Sequence, residues 1–185
     1  MTLLASRSQL RASFLRWVLF LVPTIVLLGF LSGQVSGSGE GNPWFAALTK
    51  PDWNPPGRLF PIVWTALYVM MGLSLAMVCA AWGARGRGLA IGLFALQFVL
   101  NLAWSPVFFG MREIAAGLGV IIALDLALIA TIAVFWRVRK NAALLLLPYL
   151  GWVLFATFLN FTILQLNPDG GPKDAAGAAS QRVTL

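Results

Sequence analysis

Three stripes of aromatic and amide side chains are the parts of this chain whose spacing could do chemistry. Gln97, Asn101, Trp104 and Phe108 recur at i, i+4, i+7 and i+11, so on a helix they share one face. Tyr149, Trp152, Ala156 and Asn160 do the same, and Trp64, Tyr68, Met71 and Leu75 form a third stripe. Indole and phenol rings offer flat apolar faces with a polar edge, and a carboxamide offers both donors and acceptors. Such walls suit a flat, mostly apolar ligand steadied by a few hydrogen bonds. The alternative is that Asn101 and Asn160 only hydrogen-bond between helices and hold them together. Hydrolysis and group transfer fit poorly, because histidine is absent and the six acidic residues are scattered. Without histidine the usual zinc ligand and the usual haem axial ligand are also missing, so neither a metal nor a cofactor is expected.

A second source of chemistry is the stretch Lys50–Trp64, KPDWNPPGRLFPIVW, with two tryptophans and four prolines. Ordinary interhelical loops use small turn formers such as Gly, Asn, Asp and Ser. Here each proline fixes φ and removes a backbone donor, so the loop is stiff and carries Trp53 on a rigid frame. A rigid indole at a membrane surface is either a lipid anchor or the lid of a binding site. The three stripes favour the lid.

The elements that must position these residues follow from composition. The chain has 185 residues, is 59% hydrophobic and 10% charged, and its mean hydropathy is +0.84, which excludes a soluble globular domain. Five apolar spans of roughly 19 to 23 residues, the length that crosses a hydrocarbon core as helix, are expected. They lie at Trp17–Val35, Leu59–Ala81, Leu89–Phe109, Ile114–Trp136 and Ala142–Leu164. The fold class is therefore an all-α membrane protein, a five-transmembrane-helix bundle. Residues 1–16 form a basic N-terminal arm, 17–166 the five-helix unit, and 167–185 a polar, Gly- and Ala-rich tail expected to be disordered. The first span, preceded by Arg7, Arg11 and Arg16, has signal-peptide features but no clean A-x-A site, and is expected to be a retained helix. Cys79 stands alone, so no intramolecular disulfide forms and the redox compartment cannot be inferred.

The net charge of +7 invites a nucleic-acid reading, but the basic residues sort by membrane side instead. Eight of them, including Arg85, Arg87, Arg137, Arg139 and Lys140, share the side of the N-terminus; the other five, with Lys50, Arg58 and Arg112, fall opposite. The positive-inside rule then gives a cytoplasmic N-terminus. The charge serves topology and contact with anionic membrane lipids, and no nucleic-acid partner is expected.

The fourth span carries two further signals. Ala115, Gly119, Ala123, Ala127 and Thr131 make a seam of small residues every four positions, with shorter versions at Gly72, Ala76 and Ala80 and at Gly88 and Gly92. Small residues let backbones approach in lipid, where no hydrophobic force drives helices together, either within the bundle or between copies. Asp125 lies near the middle of the same span. It is a functional-site candidate, or else a protonated acid bonded to a neighbouring helix or facing a wet cavity.

At this point the motifs resemble a known family. KPDWNPP in the first loop, FPIVW opening the second helix, NLAWSPVFFGMR closing the third and PYLGWVLFATFLNF in the fifth are similar to the translocator protein family. That family is also called the tryptophan-rich sensory proteins, or peripheral-type benzodiazepine receptors. The resemblance covers roughly Asn42 to Asn167. It implies a five-helix bundle, commonly a homodimer, in the membrane of a bacterial cell, binding porphyrins such as protoporphyrin IX or other lipophilic small molecules beneath the first loop. Some members also bind cholesterol and isoquinolines. Trp53 matches the tryptophan of the loop motif, Asn101 and Trp104 the third-helix positions, and Trp152 the fifth-helix tryptophan. Ala156 matches a position where a bulkier residue alters ligand binding. Trp53 and Trp152 match indoles implicated in porphyrin breakdown by some bacterial members, which makes them the candidate catalytic residues. The ligand-binding set expected from stripes and resemblance together is Trp53, Trp64, Tyr68, Asn101, Trp104, Phe108, Trp152 and Ala156.

Departures from the family are specific. Leu159, Asn160 and Phe161 are followed by Gln165 where the family's sterol motif ends in a basic residue, so sterol binding through that segment is not expected. Phe45 stands where many members have tyrosine. Asp125 has no counterpart in the motifs. Three functions follow, in this order: porphyrin binding and sensing, light- or oxygen-dependent porphyrin degradation through indole redox chemistry, and transport. Transport ranks last because neither inverted repeats nor matched helix breaks are present.

Overall fold

A computed structural model describes residues 7–171. Six α-helices run as α1 (Arg7–Val35), α2 (Pro43–Ala47), α3 (Leu59–Cys79), α4 (Arg87–Ser105), α5 (Ile114–Val138) and α6 (Lys140–Leu166), with a π-helical turn, Pro106–Gly110, continuing α4. Five of the helices are long and apolar enough to cross a membrane, and α2 is a single turn within the first loop. The protein is thus a multi-pass, all-helical membrane protein. Helix α1 begins at Arg7, so the end of the basic arm is helical and continuous with the first span.

Local chemistry sets the helix ends. Pro43 occupies the first turn of α2, where its missing N–H costs nothing, and the Asn42 side chain accepts from the N–H groups of Trp44 and Phe45 at 3.1 and 3.2 Å. At the end of α3 the Arg87 guanidinium donates twice to the Cys79 carbonyl, at 2.9 and 3.2 Å, and stacks over Trp82. It closes a helix end that has no intrahelical partner. A single extended residue, Arg139, joins α5 to α6 and forces them into an antiparallel hairpin.

Around the bundle α1 packs on α3, α3 on α6, α6 on α5 and α5 on α4, and a lighter contact of α4 with α1 closes the ring. Two glycines allow the closest approaches. A Cβ on Gly72 would stand 2.7 Å from the backbone of Val22, and one on Gly29 would run into the Tyr68 ring. Polar ties complete the packing. Ser74 donates to the Ala142 carbonyl at 2.7 Å, joining α3 to α6. Ser32 of α1 donates to the Leu102 carbonyl at 2.6 Å. Leu102 is available because Pro106, four residues on, has no N–H to offer it.

The small-residue seam of α5 divides. Ala127 and Thr131 are buried, whereas Ala115, Gly119 and Ala123 are exposed and nothing lies within 4 Å of a Cβ built on Gly119. The tail expected from residue 167 has its start tied down: Asn167 is buried, donates to the Thr49 carbonyl at 2.9 Å and accepts from the Thr49 N–H at 3.0 Å. Residues 172–185 lie outside the described residues, as do residues 1–6.

Three spans separate the first loop from the start of α6. Cysteines placed at Asp52 and at Asn141 should therefore react with a membrane-impermeant reagent from opposite faces; reaction of both from one face would break the five-span arrangement.

Candidate functional site

A cavity of about 260 Å³ lies inside the ring beneath the first loop. Every long helix contributes to it: Gly29, Phe30 and Gly33 from α1, Trp64 and Tyr68 from α3, Asn101 and Trp104 from α4, Ile121 and Leu124 from α5, and Trp152 and Ala156 from α6. The rings pack against one another. Trp64 stacks on Tyr68 at 5.2 Å, Trp104 on Phe108 at 5.0 Å, and Phe60 meets Trp152 edge-on at 5.7 Å. Phe108 and Phe109, both buried in the π-helical turn after α4, complete the aromatic lining.

Hydrogen bonds order the amides. Tyr68 donates to Asn101 Oδ1 at 3.2 Å, Asn101 Nδ2 to the Tyr149 hydroxyl at 3.0 Å, and Tyr149 to Gln97 Oε1 at 3.1 Å. This run starts in the cavity wall and ends deep in the bundle at Gln97 Nε2, which has no partner. On the other side Trp104 Nε1 donates to Asn160 Oδ1 at 3.3 Å while Asn160 Nδ2 donates to the Ile114 carbonyl at 3.0 Å. Asn101 and Asn160 therefore do hold helices together, each through one of its two amide N–H groups.

Seven of the eight expected site residues line this cavity: Trp64, Tyr68, Asn101, Trp104, Phe108, Trp152 and Ala156. Trp53 does not. Its indole is 44% exposed and lies outside α6, stacked on Phe158 at 5.3 Å and edge-on to Phe155 at 5.9 Å. The same stiffness that was expected to hold Trp53 over a site instead swings it to the lipid-facing side. Asn54, Pro55 and Gly57 form the lid in its place. The lid is latched by Glu40, whose carboxylate accepts from the Gly57 N–H at 2.9 Å. Near the same latch the Lys50 ammonium lies over Phe45, and burial pulls its pKa down against the opposing pull of Glu40.

Sequence reasoning missed the α1 wall, and it named the first loop as the lid without the residues of that loop that face the cavity. Gly29 and Gly33 are spaced by four in the first span, a signal available in the sequence; Glu40 and Asn54 carried none, because loop geometry decides where they point. It also missed Trp44, which is buried, meets Phe108 edge-on at 5.6 Å and donates to the Gly170 carbonyl at 3.4 Å.

Replacing Asn101 with alanine leaves the buried Tyr68 and Tyr149 hydroxyls each short of a partner. The cost should be about 1–3 kcal/mol, the penalty of an unsatisfied buried group, seen as a lowered melting temperature in detergent.

Comparison with known proteins agrees with this architecture. The family model of the TspO/MBR family matches residues 20–166. The chain is 52% identical over 126 residues to Tryptophan-rich protein TspO of Chlorobaculum tepidum, covering 68% of this chain and 80% of that protein. It is 38% identical over 130 residues to Protein CrtK of Rhodobacter capsulatus, covering 70% and 81%. It is 37% identical over 142 residues to Translocator protein of Homo sapiens, covering 76% and 84%. A match across all five spans, joined to identities of this size over most of each relative, places the chain in the TspO/MBR family.

Proposed function

We propose that this protein is a membrane sensory or regulatory protein that binds a tetrapyrrole such as protoporphyrin IX in the cavity under the first loop. The observation that carries this reading is the wall itself. Three indoles and a phenol face a largely apolar space with the amides of Asn101 and Asn160 in the wall, as stacking on a flat macrocycle requires. Membership of the TspO/MBR family supports it. At about 260 Å³ the cavity is just below the roughly 300–1,000 Å³ of drug-sized sites, so a macrocycle has to lift the lid held by Glu40.

A second reading, light- or oxygen-dependent porphyrin breakdown, draws on the same wall, because Trp64, Trp104 and Trp152 would all contact a bound ring. Transport of porphyrin or other lipophilic molecules stands behind both. The basic residues at Arg85, Arg87 and Arg137–Lys140 support a cytoplasmic N-terminus, and the likeness to bacterial relatives supports a bacterial cell membrane. The exposed small residues Ala115, Gly119 and Ala123, with Gly88 and Gly92, support a homodimer packed through close backbone contact.

Titration of purified protein with protoporphyrin IX, following tryptophan quenching in the dark and the porphyrin spectrum under light, tests the proposal. Saturable quenching with an unchanged spectrum is expected; a new product band would favour breakdown, and absent quenching would remove both. Ala156→Phe should lower affinity at least several-fold by filling the cavity. Trp152→Phe should weaken binding by about 0.5–1.5 kcal/mol, the worth of an aromatic pair. Trp53→Phe and Trp136→Phe, both outside the cavity, should leave affinity nearly unchanged. A loss at Trp53 equal to that at Trp152 would move the site out onto α6.

A further inference from the structure

Asp125 is the one carboxyl buried within a span among the described residues, and Leu124 beside it lines the cavity. It meets Thr157 of α6. Thr157 Oγ1 lies 2.7 Å from Asp125 Oδ2 and 3.0 Å from the Val153 carbonyl oxygen. A threonine hydroxyl carries one proton and so cannot donate fully to two acceptors. Both contacts become good hydrogen bonds if Asp125 is a carboxylic acid: its Oδ2–H donates to Thr157, and Thr157 donates to Val153. Asp125 Oδ1 has no partner at all. A neutral carbonyl oxygen tolerates that position far better than an ionised carboxylate, which at this depth would be an unpaired charge in a low-dielectric medium.

We propose that Asp125 is a proton-binding site in the core of the membrane, and that the bound proton clasps α5 to α6 behind the cavity wall. Nothing around it offers a counter-charge. Of the elements packed on α5, α4 and the π-helical turn bring only Arg87, at the far end of α4. Helix α6 brings Lys140, at its own first residue, and Tyr149, whose hydroxyl is already engaged with Asn101 and Gln97. Thr157 directly follows Ala156, so losing the proton sets a bare charge against the segment of α6 that forms the cavity floor. The clasp does not depend on which ligand the cavity takes.

Infrared spectroscopy of the full chain in lipid nanodiscs at neutral pH tests it. The expected result is the carbonyl stretch of a protonated carboxylic acid, shifted by ¹³C-aspartate labelling and lost in Asp125→Asn. No such band in the wild type, or a band that persists in the variant, overturns the proposal. Thermal unfolding gives an independent reading. The folded chain holds a proton that the unfolded chain releases at neutral pH, so wild-type stability must fall as pH rises toward ionisation of Asp125. In Asp125→Asn, which keeps a neutral donor for Thr157, that fall should vanish. Equal falls in both proteins would assign the effect to Tyr68 and Tyr149 and overturn the clasp. If the variant does not fold, the isotope shift in the wild type decides alone, and its absence overturns the proposal.

Discussion

Polar groups inside a bilayer have no water to turn to, and most of this structure follows from where each of them finds a partner. The run Tyr68, Asn101, Tyr149 and Gln97 ties α3, α4 and α6 together through side chains that are costly in lipid when left alone. Asn160 does the same for α4, α5 and α6 by accepting from Trp104 and donating to Ile114. Even the break in α4 is put to use. Pro106 frees the Leu102 carbonyl, and Ser32 reaches across from α1 to satisfy it.

Because lipid is as apolar as leucine, burial alone does not draw these helices together, and close packing has to do so instead. Gly72 and Gly29 permit α1 to lie against α3 and the Tyr68 ring with no side chain between. Where partners for small residues are missing, as at Gly119 on α5, the surface is left free for another copy of the chain or for lipid. The outward faces carry Leu19, Val35, Ile62 and Leu126, as a bundle solvated by hydrocarbon should.

The cavity is what remains when five helices held by polar ties leave a gap at one end. Its aromatic wall comes from Trp64, Tyr68, Trp104 and Trp152 on the helices and from Phe108 and Phe109 in the π-helical turn, and Trp44 of α2 packs edge-on against Phe108. The loop above is stiffened by its prolines and held on two sides: Trp53 packs on Phe155 and Phe158 of α6, and Glu40 accepts a hydrogen bond from Gly57 at the exposed surface.

The spans, the three aromatic and amide stripes and the small-residue seams were legible in the sequence, because helical period and bilayer thickness act on neighbouring residues. Seven cavity residues could be chosen that way: once a residue's face on its helix is known, only one side of a bundle is inside. Trp53 was misplaced because a rigid loop fixes a direction without saying which, and the choice was made by Phe155 and Phe158, about a hundred residues further along the chain. The division of the α5 seam into buried and exposed halves and the pairing of Asp125 with Thr157 were settled the same way. Each depends on which helices become neighbours and at what depth. That is fixed by contacts between distant segments, and no local pattern records it.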